Sequence, residues 1–277
     1  MSKADDLFIE MCRDVLDNGF STEGLNVRAR WADTGEPAHT KKVFGVVHRY
    51  DLQEEFPALT LRPVPFKNCV DELLWIWQLK SNKVSDLHSH IWDAWSGGDG
   101  TIGKAYGYQL QKQYLFKQGM MDQVDNVLWQ LKNDRYSRRI LTNIYNFEDL
   151  HEMGLEPCAY SMTFNVVGDR LNAILNQRSQ DILAANAWNV CQYAVLVHMM
   201  AQVSGLKAGT LVHVIADSHI YDRHLPVVEE LISRPTYPAP VFKMNPDVKD
   251  FYAFTLDDFA LENYQTGPQI KGIPVAV

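Results

Sequence analysis

The sequence has few of the features that would place a protein in a membrane, outside the cell or on nucleic acid. No basic segment followed by an apolar run opens its 277 residues, and its most apolar stretch, 187–201, is interrupted by Asn189, Gln192 and His198. We therefore expect that the protein is neither exported nor inserted into a membrane. The net charge of −8 argues against general attraction to nucleic acid or acidic lipid, so nucleic acid is an unexpected partner.

Cysteine is scarce, with four residues at positions 12, 69, 158 and 191, and none forms a C-x-x-C pair. Scattered cysteines are typical of reduced thiols rather than of a disulfide framework or a zinc site. We therefore expect a cytoplasmic protein without a metal. Internal repeats and Gly/Ser/Pro-rich linkers are also missing, so one domain spanning residues 1–277 is predicted.

Apolar periodicity predicts several helices and strands. Helical spacing covers 5–16, 70–77, 124–131, 187–205 and 225–232, whereas strand-like patterns cover 43–49, 139–145, 158–166, 171–177 and 210–215. The 187–205 segment is too continuously apolar for a surface helix and should cross the core. Helices and strands alternate without a βαβ rhythm, which predicts an α+β fold with one mixed or antiparallel sheet packed against helices.

Cys158 is the cysteine that suits chemistry, because it follows Pro157 at the predicted start of a strand. Gly168 and Asp169 sit between two strand-like runs and predict a hairpin. Arg178 falls at the far end of that hairpin, so it should lie near Cys158. A thiol is nucleophilic as the thiolate, which a nearby cation favours. Arg178 and Ser179 together would also suit a phosphate.

Other readings of these residue types stay open at this point. Arg178 and Asp181 could equally form a surface ion pair. The histidines His213, His219 and His224 match no metal-ligand spacing, so structural or substrate hydrogen bonds are expected of them. Trp92 and Trp95 could be ordinary core aromatics.

A series of motifs in order makes the sequence resemble thymidylate synthases along nearly its whole length. The motifs are Asp71-Glu72-Leu73-Leu74-Trp75, Ile91-Trp92-Asp93-Ala94-Trp95, Ala105-Tyr106-Gly107, Ser137-Arg138-Arg139, Glu156-Pro157-Cys158, Gln177-Arg178-Ser179-Gln180-Asp181, Asn189, Asp217-Ser218-His219-Ile220-Tyr221 and Pro274-Val275-Ala276-Val277. One such motif alone is weak evidence. Their order along one chain makes coincidence negligible.

The resemblance implies reductive methylation of dUMP to dTMP, with 5,10-methylenetetrahydrofolate as co-substrate and dihydrofolate as product. Cys158 would add to C6 of the uracil and thereby activate C5, while Arg178 would lower its pKa. Glu72 would organise proton transfers and Tyr106 would assist removal of the C5 proton. Asn189 would select uracil, since an amide can accept from N3–H while it donates to O4.

The resemblance also implies a binding role for further residues. Those expected at dUMP are Arg28, Arg138, Arg139, Gln177, Arg178, Ser179, Asp181, Asn189, His219 and Tyr221. Those expected at the folate are Trp92, Trp95, Asp181, Ala276 and Val277. Arg138 and Arg139 would come from a second subunit, which implies a homodimer.

Three positions depart from the usual pattern of the family. Ala159 stands where most members have histidine after the cysteine. Residues 184–189 replace the usual L-G-L-P-F-N run, which changes the wall that faces the folate. The phosphate loop around residues 30–40 is longer than usual, so Arg30 competes with Arg28 for the phosphate role.

Four other functions compete with the synthase. A deoxyuridylate hydroxymethylase would share the fold and the thiolate but quench the intermediate with water instead of hydride. A cytidylate hydroxymethylase would be better served by Asp than by Asn189. An RNA-binding regulator conflicts with the net charge of −8. A Cys-His hydrolase would need a base beside Cys158, which the sequence does not provide.

Overall fold

The computed structural model describes residues 2–277. Within this range the α-helices are α1 (Lys3–Asn18), α2 (Phe66–Trp77), α3 (Gly107–Gln111), α4 (Gln123–Asn133), α5 (Ala187–Val203) and α6 (Leu225–Ile232). The strands are β1 (Phe20–Ser21), β2 (Thr40–Asp51), β3 (Tyr114–Phe116), β4 (Gly119–Met121), β5 (Ile140–Asn143), β6 (Ala159–Val167), β7 (Arg170–Asp181), β8 (Lys207–Tyr221), β9 (Val241–Met244) and β10 (Phe259–Glu262). Every predicted helix and strand is present.

The main sheet has six strands in the order β1-β2-β8-β7-β6-β5. Its neighbouring strands are antiparallel except for β7 and β8, which run parallel. The predicted α+β fold with a mixed sheet is therefore confirmed. Two small antiparallel pairs, β3 with β4 and β9 with β10, lie outside this sheet.

The buried helix α5 lies at the centre of the molecule, as predicted. Most of its 17 residues are buried, because apolar side chains surround the helix on all sides. The helix ends at Val203, two residues before the predicted end, and Gly205 follows with φ +66°. At the other end a π-helical turn, Ile182–Asn186, leads from β7 into α5 and places Asn189 in the first turn.

The hairpin of β6 and β7 turns at Gly168, whose φ of +62° favours glycine. The predicted strand begins at Ala159 rather than at Cys158, and a bulge between Ala159 and Ser161 interrupts its pairing with β7. Cys158 thus sits just outside the regular ladder. It remains tied to β7, since the Arg178 N–H donates to the Cys158 carbonyl at 2.9 Å.

The helices cover one face of the sheet and leave apolar side chains exposed elsewhere on it. Phe44 of β2 is 89% exposed, and Val47, Leu141 and Ile174 are also exposed. The register places Leu141 opposite Thr163 and Thr163 opposite Ile174, so this apolar surface continues across strands. Among residues 2–277, no helix is long and apolar enough to cross a membrane.

Candidate active site

A cavity of about 670 Å³ opens beside the start of β6 and the start of α5. Its wall includes most residues that the sequence singles out: Arg28, Glu72, Trp92, Trp95, Tyr106, Cys158, Gln177, Arg178, Ser179, Asp181, Asn189, His219, Tyr221, Ala276 and Val277. Of the residues that the resemblance assigns to the dUMP and folate sites, Arg138 and Arg139 do not line the cavity and are exposed just before β5. The fold therefore gathers side chains that are up to 249 residues apart in sequence, from Arg28 to Val277.

Cys158 is the half-buried thiol of this cavity, whereas Cys12, Cys69 and Cys191 are buried away from it. Its backbone N–H donates to the Tyr106 hydroxyl at 3.2 Å. Burial raises the pKa of the Cys158 thiol, and the charges of Arg178 and Arg28 lower it less than burial raises it. Arg178 therefore acts on the pKa in the expected direction, and burial outweighs its effect.

Arg178 is fixed on the segment that leads to the thiol. Its Nε donates to the Pro157 carbonyl at 3.0 Å and its Nη2 donates to the Glu156 carbonyl at 2.7 Å. These bonds hold the guanidinium beside Cys158 and leave Nη1 for another acceptor. The alternative of a surface ion pair with Asp181 is wrong, because Asp181 instead accepts from the Ala184 N–H at 3.0 Å and caps the π-helical turn.

The structure separates the two candidates for the phosphate-loop arginine. Arg28 lines the cavity and is close enough to influence the pKa values of Cys158 and Tyr221. The Arg30 guanidinium instead donates to the Val27 and Ala29 carbonyls. The backbone of Arg30 pairs with Val277 in both directions, at 2.9 and 2.8 Å. Arg30 therefore anchors the C-terminus.

The C-terminal residues are held against the cavity by contacts that the sequence does not reveal. Ala276 forms a β-bridge with Trp31, and the Ala32 N–H donates to the Val275 carbonyl. The buried His224 donates from Nε2 to the Pro274 carbonyl at 2.8 Å. These contacts place Ala276 and Val277 at the cavity wall, where the sequence analysis expects them.

Asn189 carries the side-chain amide expected to read the pyrimidine. Its Oδ1 accepts from the Gln177 and Gln180 amides at 3.2 and 3.4 Å. Gln177 is oriented in turn by His213, whose Nε2 lies 2.8 Å from the Gln177 Oε1. Because the Gln177 nitrogen is committed to acceptors, its oxygen must accept and His213 must donate. The expectation of a structural hydrogen-bonding role for His213 is confirmed.

His219 and Tyr221 project from the end of β8 into the cavity. The His219 Nδ1 lies 2.8 Å from Asp217, which leaves Nε2 for a ligand. Burial raises the pKa of Tyr221 to about 12, so its hydroxyl is neutral at ordinary pH and can donate. No cluster of His, Cys, Asp and Glu suited to a metal occurs in residues 2–277.

Tyr106 is held in an unusual backbone conformation next to the nucleophile. Its φ is +45°, which is uncommon for a residue other than glycine and is often found at functional sites. Burial raises the pKa of its phenol well above the usual value, so the hydroxyl stays protonated. The ring of Trp92 packs against it with 5.0 Å between centroids.

Glu72 is a buried carboxylate that three neutral donors contact. Trp92 donates from Nε1 to Oε1 at 2.5 Å, while Trp188 and Gln192 donate to Oε2 at 2.6 Å each. Trp188 and Gln192 were not predicted from the sequence as partners of Glu72. Their spacing of four residues on α5 was the available signal, since it places them on one helix face. Trp92 is both a core aromatic and a residue of the site, because it is buried and also donates a hydrogen bond to Glu72.

Comparison with known proteins agrees with this site. A sequence model described as thymidylate synthase matches residues 6–277. The thymidylate synthases of Bacillus subtilis subsp. natto and Bacillus licheniformis are each 43% identical to the chain over 274 residues, which is 98% of the chain and 98% of each relative. The solved structure of thermostable thymidylate synthase A from Bacillus subtilis superposes with a TM-score of 0.94 at 43% identity and covers 99% of both chains.

A half-buried thiol in a cavity of about 670 Å³, on an α+β fold with these relatives, defines a nucleotide methyltransferase. The chain belongs to the thymidylate synthase family. Members of this family form dTMP from dUMP and use methylenetetrahydrofolate as co-substrate.

Proposed function

We propose that this chain converts dUMP and 5,10-methylenetetrahydrofolate to dTMP and dihydrofolate, with Cys158 as the nucleophile. The observation that carries the proposal is the position of Cys158 in one cavity with Arg178, Glu72 and Asn189. The thiol meets the pyrimidine at C6, the arginine offers a cation, and the carboxylate and the amide face the ring. The proposed catalytic unit is the whole chain, residues 1–277.

The dUMP phosphate is proposed to bind at the cationic end of the cavity. Arg28, Arg178 and Ser179 line this end, and the Nη1 of Arg178 has no protein acceptor among residues 2–277. Gln177 orients Asn189, and Asp181 fixes the turn that leads to it, so both support the nucleotide site. His219 and Tyr221 are proposed to bond the sugar 3′-hydroxyl.

Bond formation at C6 requires the thiolate of Cys158. Because burial raises the pKa of this thiol, its proton must leave as the nucleotide binds, and the guanidinium of Arg178 favours the charged product of that step. The sulfur then forms a bond to C6 and the electron pair moves to the C5–C4–O4 unit. Asn189 stabilises the charge that develops at O4. Tyr106 and Glu72 are proposed to assist the later removal of the C5 proton.

The folate fits the aromatic and apolar end of the cavity. Trp92, Trp95 and Ile91 line the cavity together with Val275, Ala276 and Val277. A flat pterin ring suits such walls. When bound, the folate supplies the one-carbon unit and the hydride. We propose that Trp92, Trp95, Asp181, Ala276 and Val277 hold it and exclude water from the reacting atoms.

We also propose a homodimer in which Arg138 and Arg139 complete the partner's phosphate site. Both arginines are exposed and lie outside the cavity of their own chain. The exposed apolar surface around Phe44, Val47 and Ile174 is the kind of face that a second subunit covers. A cytoplasmic location is proposed as well, because all four cysteines are free thiols.

The test is to mix the protein with dUMP and methylenetetrahydrofolate and to follow two products. The proposal expects dihydrofolate absorbance to rise in step with a nucleotide of dTMP mass. A hydroxymethylated nucleotide without dihydrofolate would overturn it in favour of the hydroxymethylase, because water instead of hydride leaves the folate unoxidised. RNA binding with a steep salt dependence and no turnover would overturn it in favour of a regulator.

A further inference from the structure

The carboxylate of Glu72 receives two hydrogen bonds from helix α5. Trp188 and Gln192 both reach Oε2 at 2.6 Å, and Trp92 reaches Oε1 at 2.5 Å. The indole N–H of each tryptophan can only donate. The Gln192 nitrogen is also the donor, because it lies within 3.4 Å of the Cys69 carbonyl as well.

We infer that Trp188 and Gln192 are positioning residues that hold Oε2 of Glu72 and leave Oε1 as the oxygen that exchanges protons during turnover. An ionised carboxylate has about four lone-pair sites. Two on Oε2 and one on Oε1 are filled, so the remaining site is on Oε1. This inference rests on the proposed function, in which Glu72 takes part in proton transfer.

Neutral hydrogen-bond donors, and no positive charge, are the groups that lower the pKa of Glu72. Burial raises its pKa and Asp71 raises it further, whereas the three hydrogen bonds lower it. The remaining titratable groups near it are Cys69, Tyr106 and Tyr193, each of which becomes negative on ionisation and repels the carboxylate. The neutral donors are therefore what favours the carboxylate form.

The residue that follows Cys158 is Ala159, which has a small apolar side chain. Ala159 lines the same cavity and offers no donor or acceptor from its side chain. The side-chain hydrogen bonds to Glu72 from this part of the chain come instead from α5. Trp188 and Gln192 lie one turn apart, so a single rigid helix fixes both donors.

The first test is the pH dependence of dTMP formation in Trp188→Phe and Gln192→Met. Each change removes a donor and keeps a side chain of similar size. With one donor missing, Glu72 takes up a proton more readily and less carboxylate remains at low pH. We expect each variant to lose about tenfold in kcat near pH 6 and to recover toward the original rate as the pH rises. Trp129→Phe, on the outer side of α4, serves as a control that keeps its activity.

The second test does not need turnover. Carbon-13 NMR of the ligand-free protein labelled at the glutamate carboxyl carbon follows the titration of Glu72, and Glu72→Gln identifies its signal. The midpoint should move to higher pH in both α5 variants and stay in place in Trp129→Phe. An unchanged midpoint, with activity lost by one factor at every pH, would overturn the inference and assign a purely structural role. If the midpoint shifts in the α5 variants but the original protein forms no dihydrofolate, the positioning role of Trp188 and Gln192 would be supported and the proposed function overturned.

Discussion

The thiol and the carboxylate of the cavity are both buried ionisable groups, yet the fold supports them in different ways. Cys158 lies next to two arginines, Arg28 and Arg178, whose charges partly offset the effect of burial on its pKa. At Glu72, three neutral hydrogen-bond donors, rather than a cation, partly offset the effect of burial on the pKa. The first group depends on electrostatic attraction over a distance, and the second depends on short directional bonds. Added salt should therefore change the pKa of Cys158 more than the pKa of Glu72, whereas loss of a hydrogen-bond donor should change the pKa of Glu72.

The largest expected effect is at the thiol itself. Cys158→Ala should abolish dTMP formation, because no other thiol lines the cavity among residues 2–277. Binding of dUMP, measured by calorimetry, should change by less than about tenfold, or about 1.4 kcal/mol, since the sulfur acts in bond formation rather than docking. Cys12→Ala, a buried thiol of α1, is the matched control and should keep turnover. Turnover in Cys158→Ala would contradict the mechanism.

The second prediction concerns the arginines that lie outside the cavity. Arg139→Glu and Cys158→Ala should each be inactive as homodimers. When the two proteins are unfolded together and refolded, a mixed dimer should contain one site with both defects and one with neither. Activity should then return to about half per mixed dimer, with native mass spectrometry counting the species. If confirmed mixed dimers stay inactive, Arg139 does not act across an interface.

Asn189→Asp tests the amide that His213 and Gln177 orient. The change should shift preference from dUMP toward dCMP, because a carboxyl group can match the amino group of cytosine that the amide repels. We expect the ratio of kcat/KM for the two nucleotides to change by about a hundredfold or more. Equal losses for both would mean that Asn189 only supports the start of α5.

The contrast between the two groups can be sharpened by alkylation of the free protein. The rate at which iodoacetamide labels Cys158 should rise with pH up to the raised pKa of the thiol, since the thiolate is the reacting form. Arg178→Met removes a positive charge, so less thiolate forms and labelling near pH 8 should slow by about tenfold. Added salt should slow labelling of the original protein by screening the arginines. The NMR midpoint of Glu72 should respond little to the same salt, and an equal response would contradict the comparison.

The smallest effect is expected at Ala159. Ala159→His should raise kcat by well under a hundredfold, because a positioned acid or base contributes about that much when a site truly lacks it. The α5 donors to Glu72 leave little for a new histidine to add. Steady-state kinetics on dUMP would measure the gain. A much larger gain would show that the original cavity lacks a functional proton network.

The sequence by itself predicted the main helices and strands and, through the family motifs, most residues of the cavity wall. Apolar periodicity located α1, α2, α4, α5 and α6 and five of the six strands of the main sheet, because local spacing directly reports which side chains face inward; the two-residue β1 was missed. Pro157-Cys158 before a hairpin also predicted that Cys158 and Arg178 meet, since a hairpin fixes its own register. The motifs that occur in order along the chain predicted the family.

Only the tertiary structure decided the contacts between elements that are far apart in the chain. Arg30 pairs with the C-terminus across 247 residues of sequence, from 30 to 277, whereas Arg28 lines the cavity. The raised pKa of Cys158 depended on burial, which a local motif does not specify. The donors to Glu72 depended on α2 packing against α5, because spacing within one helix predicts a face but not the partner of that face. Local sequence thus determined which groups were present, and long-range packing determined which charges and hydrogen bonds each one meets.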